Sequence, residues 1–242
     1  MNTGKPASSS DRKALAVVFL GPPGSGKGTQ AKELVKVLPG LEHISTGDLF
    51  RNEIARKTDV GVTVDETLKA GKLVDDVLTY KVLKSQLLKI VEDKKPACLI
   101  FDGYPRNGNQ VPDLDKLLKE IPGLKGPVFI ELEVPRNVIV ERVSGRLVNP
   151  RLGIVYHKTE RPPKVAGKCD VDGGELVQRA DDKPDVIGGR FDVYQKGLQE
   201  MLVEIRKGGY PHYKFNGNAA VEQISAGLKS KLIELCELPA SS

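Results

Sequence analysis

ALAVVFLGPPGSGKGTQ, residues 14–30, joins an unbroken apolar run to a loop in which four glycines surround one lysine. The run Ala14–Leu20 has the continuity expected of a strand buried on both faces in a parallel sheet. Beyond the loop, Ala31, Leu34, Val35 and Leu38 recur at helical spacing until Pro39-Gly40 stops the pattern. Strand, glycine loop and helix make half of a βαβ unit. Gly21, Gly26 and Lys27 fit the phosphate-loop pattern GxxxxGK[ST], except that Gly28 stands where the hydroxyl belongs and Thr29 follows it. Glycines permit close backbone approach, so the amides of residues 24–29 (Gly24, Ser25, Gly26, Lys27, Gly28 and Thr29) can converge on one anion. The following helix adds its positive dipole end, and Lys27 supplies a mobile charge for the outer phosphates. Gly28 cannot ligate Mg²⁺ as the usual Ser or Thr does, and no guanine-reading NKxD is present. Both points argue against a switch GTPase.

Strands are also expected at Ala97–Phe101, at Val128–Val134, ending at Ile44, and over His212–Phe215. Helical patterns lie at Leu78–Val91, Pro112–Glu120, Asn137–Leu147 and Val221–Leu235. The alternation predicts an α/β domain with a parallel sheet. Two stretches break it. Residues 46–74 are polar and helical in pattern, and residues 148–180 are rich in Pro, Gly and charge, too long for a connecting loop.

The 242 residues suit one compact domain with insertions, and 39% are hydrophobic, enough for a sizeable core. A net charge of +5, without a long basic run and with few aromatics, fits small polyanionic substrates better than nucleic acid. Cys98, Cys169 and Cys236 form no CxxC pair, which suggests reduced thiols and excludes a four-cysteine zinc site. No stretch is apolar and long enough to span a membrane. The first dozen residues read as a disordered tail without signal or transit features, so the cytoplasm is the expected compartment. No exposed heptad calls for an oligomer, and a monomer is expected.

Charge-bearing side chains recur downstream. Arg142 and Arg146, four apart on an expected helix, share one face, a costly arrangement without an anion between them. Asp102 and Arg106 follow a strand end, where ligands sit in open α/β sheets. STGD at residues 45–48 is itself a helix N-cap pattern. His43, His157 and His212 have no Ser or Cys partner at a suggestive spacing and read as structural.

GPPGSGKGTQ, STGDLFR (45–51), GKLV (71–74), DGYPR (102–106), Gln110, ERVSGRL (141–147), VYH (155–157) and RADD (179–182) occur in the order and spacing of one family. On these motifs, from about residue 15 to the C-terminus, the chain resembles the adenylate kinases, P-loop nucleoside monophosphate kinases, in their long-lid form without zinc. The resemblance implies a parallel five-stranded sheet flanked by helices, with a helical insertion for the nucleoside monophosphate and a lid insertion. The implied division is a tail (1–13), core (14–45, 76–146 and 185–242), monophosphate-binding insertion (46–75) and lid (147–184). The implied reaction is MgATP plus AMP in exchange with two ADP.

By the same resemblance, Lys27, Arg142, Arg146, Arg179 and Arg190 surround the moving phosphoryl group. ATP would lie on the loop and Arg146, its base near Val155, Tyr156 and Ala219. AMP would meet Thr46, Arg51, Lys72, Leu73, Val74, Gly103, Tyr104, Pro105, Arg106 and Gln110, with Arg179 and Arg190 coming from the lid side. Asp102 would orient Mg²⁺ through water, with Thr29 a second candidate. Departures from the family pattern fall on the donor side and in the lid. VIGGR (186–190) lacks further basic residues and implies a looser lid hinge, and Glu160-Arg161 replaces an aromatic-Asn pair. Asn149 stands for a common His, and Gly217 lacks a nearby lysine. A GTP:AMP phosphotransferase and a non-catalytic nucleotide-binding module are the alternatives.

Overall fold

The computed structural model describes residues 13–70, 72–182 and 184–238, so the expected tail, Gly71 and Lys183 lie outside the described residues, Lys13 excepted. In chain order the elements are β1 (Ala14–Leu20), α1 (Lys27–Val37), β2 (Leu41–Ser45), α2 (Thr46–Ala55), α3 (Asp59–Lys69), α4 (Asp76–Lys94) and β3 (Cys98–Asp102). They continue with α5 (Gln110–Glu120), β4 (Leu124–Glu133), α6 (Arg136–Ser144), β5 (Arg146–Val148) and β6 (Val155–His157). A short 3₁₀ turn (Ala180–Asp182), α7 (Pro184–Lys207), β7 (His212–Asn216) and α8 (Val221–Cys236) complete the chain.

Five strands form one parallel sheet in the order β2-β3-β1-β4-β7. All seven β1 residues are buried, as a central strand covered on both faces requires. Alternate residues feed two cores. Ala16 and Val18 pack with Leu83 of α4, Leu114 of α5 and Met201 of α7. Val17 and Phe19 face the other way, onto Leu34 of α1 and Leu228 of α8. Each large apolar side chain so buried is worth about 1.5–3 kcal/mol. The register pairs both Phe19 and Ser45 with Asp102, so the carboxyl ends of three neighbouring strands finish level. The phosphate loop, the STGD turn and the DGYPR loop therefore leave the sheet side by side, at the edge where open α/β sheets bind ligands.

Outside the sheet, α2 and α3 enclose a small apolar cluster of Phe50, Val64 and Val74. Both helices have side-chain caps: Ser45 accepts from the Asp48 amide and Thr58 from the Gly61 amide. A second outlying unit is the antiparallel pair β5–β6, with Tyr156, Cys169 and Leu176 as its core.

One local expectation is corrected. The helix read over Asn137–Leu147 ends at Ser144, and Arg146 opens a strand, so Arg142 and Arg146 do not share a helix face. The reason is Gly145. Its missing Cβ leaves room for the His157 ring, which an added Cβ would meet at 2.1 Å, and the chain turns there to pair Arg146 with His157. Gly188-Gly189 lies inside α7, which runs through both residues. Two interior glycines cost a helix about 1 kcal/mol each. Packing of Leu198, Met201 and Ile205 against the sheet opposes that cost.

Candidate active site

The level strand ends open onto a cleft of ≈ 1670 Å³, walled by the phosphate loop, α2, the DGYPR loop and the β5–β6 unit. Gly21, Gly24 and Gly26 all take positive φ, and Gly26 does so as it leads into α1. That backbone turns successive amides inward, as an anion nest requires. Lys27 is folded back along its own loop: its Nζ donates to the carbonyls of Gly21 (2.7 Å) and Pro22 (3.1 Å). Burial pushes this amine down to about 8, and the charges of Arg106, Arg190 and Arg146 add to the effect while Asp102 opposes it.

Asp102, at the end of β3, stands beside the loop. Burial alone would raise its pKa, but His43, Lys27 and Arg106 together outweigh burial and hold it at about 2. His43 Nε2 lies 3.7 Å from the carboxylate. A Cβ on Gly28 would come within 3.1 Å of Asp102 Oδ2. The glycine that replaces the usual hydroxyl thus admits a carboxylate to the same place.

Among the described residues seven arginines line the cleft: Arg51, Arg106, Arg142, Arg146, Arg179, Arg190 and Arg161. Each of the first four is aimed by a local acceptor. Arg51 NH2 donates to Asp48 (2.6 Å), Arg106 Nε to the Gly103 carbonyl (2.6 Å) and Arg142 NH1 to the Gly217 carbonyl (2.9 Å). Arg146 forks both donors onto Asp182, which is fully buried. Arg190 reaches the Asp181 carboxylate (2.9 Å) and also approaches Asp182. Arg179 Nε is buried without a hydrogen-bond partner. Burial and neighbouring guanidiniums bring Arg106 down to about 10 and Arg179 to about 9, so both stay charged at neutral pH. This positive charge is crowded, desolvated and only partly paired, an arrangement that an anion would relieve.

The expected residues divide between the wall of the cleft and its support. The loop residues 24–29, Leu73, Gly103, Pro105, Val155 and Tyr156 join the arginines and Asp102 at the wall. Thr46, Val74, Tyr104 and Gln110 are buried behind it, and the Lys72 side chain is exposed. Ala219 packs against the core on the α8 side. Thr46 donates to the Gly103 carbonyl (2.8 Å). Gln110 accepts from the Arg106 amide (2.7 Å) and donates to Asp76 (2.5 Å), fixing the loop that carries Arg106. The Tyr156 hydroxyl bonds within its own unit, to Cys169 and the Asp170 amide. The sequence reading took His43 as structural and quoted Asp48, Asp181 and Asp182 only inside motifs. Apart from the i,i+3 pair Asp48–Arg51, their pairings with Asp102, Lys32, Arg190 and Arg146 are set by packing rather than by spacing.

Behind the DGYPR loop, Gly197 of α7 touches the Arg106 carbonyl so closely that an added Cβ would lie 2.1 Å away. Gly197→Ala is expected to displace that loop and to destabilise the fold by about 1–3 kcal/mol, read by urea unfolding.

A glycine nest, a buried lysine and carboxylate and a ring of guanidiniums on a parallel sheet define a P-loop phosphotransferase. Residues 19–208 match the family model described as adenylate kinase. The adenylate kinase of Thermosipho melanesiensis is 45% identical over 196 residues, covering 80% of this chain and 88% of the relative. That of Pyrococcus abyssi is 36% identical over 210 residues (87% and 92%), and that of Shouchella clausii 36% over 220 (91% and 99%). The chain belongs to the adenylate kinase family, and its class is nucleoside monophosphate kinase.

Proposed function

We propose that the protein catalyses the Mg²⁺-dependent, reversible transfer of the terminal phosphoryl group of ATP to AMP, giving two ADP. The observation that carries this reading is the placement of two anion-binding halves in one cleft. The glycine nest and Lys27 form one half, and Arg51 with Arg106 forms the other. The shared name of the curated relatives supports it over the GTP:AMP alternative.

In this reading the loop amides and Lys27 hold the donor phosphates. Arg51 and Arg106 fix the acceptor phosphate, with Leu73, Val74 and the backbone of Lys72 beside the acceptor base and Gln110 and Thr46 bracing that side. Gly103, Tyr104 and Pro105 carry the loop that presents Arg106. Arg142, Arg146, Arg179 and Arg190 surround the phosphoryl group in flight, where charge spreads over its oxygens. Residues 46–75 act as the acceptor-binding insertion and 147–184 as a lid that excludes water. Val155, Tyr156 and Ala219 lie on the donor-base side.

The buried carboxylate that occupies the space left by Gly28 fits a role toward Mg²⁺. Asp102 would hold the ion through water, with Thr29, the residue after Gly28, a second candidate. Among the described residues no three His, Cys, Asp or Glu side chains group as metal ligands, so phosphate oxygens and water would complete the shell. The ion would supply charge neutralisation between the β- and γ-phosphates.

The assay is coupled ADP production with AMP as acceptor and ATP or GTP as donor. ATP is expected to be preferred; a strong preference for GTP would overturn the donor assignment. Protonation offers a second check. Binding a polyphosphate raises the pKa of Lys27 from about 8, so affinity is full below that pH and falls as pH rises through it. Calorimetry in two buffers of different ionisation heat is expected to read proton uptake with MgATP at pH 8.5 and much less at pH 7.

A further inference from the structure

Lys32, one turn beyond the phosphate loop on α1, belongs to none of the site motifs, yet it touches both outlying units of the fold. Its Nζ donates to the carbonyl of Gly153, in the turn before β6 (2.8 Å), and lies 3.5 Å from the Asp48 carboxylate in the first turn of α2. Both contacts are held from behind. The Gly153 turn is closed by its own amide on the Asn149 carbonyl (2.8 Å), while Asn149 Oδ1 accepts from the amides of Arg151 and Leu152. A Cβ on Gly153 would come within 2.9 Å of the ammonium, so the absence of a side chain there opens the approach. Asp48 is pinned by its amide on Ser45 Oγ, and its other oxygen accepts from Arg51. Lys32 and Arg51 thus take one oxygen each of the same carboxylate, while Lys32 also grips the β5–β6 unit.

An ordinary surface ion pair would be worth little. This one differs because, among the described residues, its two ends lie on units that share no strand or core cluster with each other. A single charged donor spanning them makes the position of each depend on the other.

We propose that Lys32 is a positioning residue that couples closure of the β5–β6 unit over the donor to the setting of Arg51 on the acceptor side, so that each nucleotide binds more tightly when the other is present. The inference rests on the assignment of donor and acceptor sides above. When Gly153 comes down on Lys32, the ammonium is fixed between it and Asp48, and Asp48 is held where it aims Arg51 into the cleft. With the β5–β6 unit away, the ammonium is solvated and Asp48 loses one of its two cationic partners.

The test is the affinity of the full-length protein for AMP, by calorimetry, alone and with saturating Mg²⁺ and a non-hydrolysable ATP analogue. The wild-type protein is expected to bind AMP more tightly with the analogue present, and Lys32→Met to reduce that ratio by roughly five- to tenfold. Lys32→Arg is expected to restore most of it, and adding Asp48→Asn to Lys32→Met to take away nothing further. A residue that merely stabilised the fold would lower Tm in all states and leave the ratio alone. A ratio of one in the wild type, or an unchanged ratio in Lys32→Met, overturns the proposal. ADP production by the same wild-type preparation separates the causes. An active enzyme with an unchanged ratio loses only the coupling role, whereas a preparation that makes no ADP removes the underlying assignment.

Discussion

Lys27→Met is expected to lower kcat roughly 10³-fold with ATP and AMP, and to raise the KM for ATP far less. The loop spends its two innermost carbonyls, those of Gly21 and Pro22, on aiming this one ammonium. Its pKa is depressed by burial first and by the Arg106, Arg190 and Arg146 charges after it, and a polyphosphate would relieve the charge crowding. Stabilisation of this kind grows as charge moves onto the oxygens of the transferring group, so its loss falls mainly on turnover. The preorganisation removed is worth about 3–4 kcal/mol, the range seen when one aimed donor is taken from such a site. Lys27→Arg is not expected to rescue, because a planar guanidinium does not fit the cage that those carbonyls form around a compact ammonium. Steady-state kinetics on both variants decide the matter. A loss below about tenfold in Lys27→Met would remove Lys27 from the centre of the reaction.

Arg106→Ala is expected to raise the KM for AMP roughly 100-fold while the affinity for ATP changes less than about threefold. Arg106 is held at three points: by Nε on the Gly103 carbonyl, by its amide on Gln110, and through Gln110 on Asp76. A guanidinium fixed in this way presents its free edge to a phosphate without further ordering cost. One consequence reaches the other half of the cleft. Arg106 is among the charges that depress Lys27, so its removal lets the lysine pKa rise. The proton taken up on MgATP binding at pH 8.5 is then expected to shrink in the variant. Comparable losses for ATP and AMP would contradict the division of the cleft into two halves.

Much of this architecture was legible in the residue order, for a physical reason. Strand, loop and helix at residues 14–37 are local, and a continuous apolar run, positive-φ glycines and a 3.6-residue period each leave a local mark. The α7 helix left a weaker one. Leu198, Met201 and Ile205 carry the helical spacing, but Gly188-Gly189 interrupts the pattern and tertiary packing sustains the helix across it. Arg146 was legible as a cation near its partners but not as part of a strand, because only the fit of Gly145 against His157 sets the turn.

The same distinction runs through the site. The cations that line the cleft were announced by type, since Lys and Arg in a glycine-rich or strand-end context stand out in the residue order. Those that aim them were not. Asp182 lies 36 residues from Arg146, and Lys32 lies 121 from the Gly153 carbonyl it meets. His43 has no motif of its own and reaches Asp102 only because β2 and β3 are paired in register. Supporting carboxylates and carbonyls are generic groups whose meaning comes from three-dimensional proximity.

The most direct measurement of the central claim follows the label from [γ-³²P]ATP in a reaction with Mg²⁺ and unlabelled AMP. The two-nucleotide cleft predicts that the label appears in the β-phosphate of ADP, with two ADP formed for each ATP consumed and no release of inorganic phosphate beyond the uncatalysed rate. Tight binding of diadenosine pentaphosphate without any labelled ADP would contradict it and leave a nucleotide-binding protein that does not transfer phosphate.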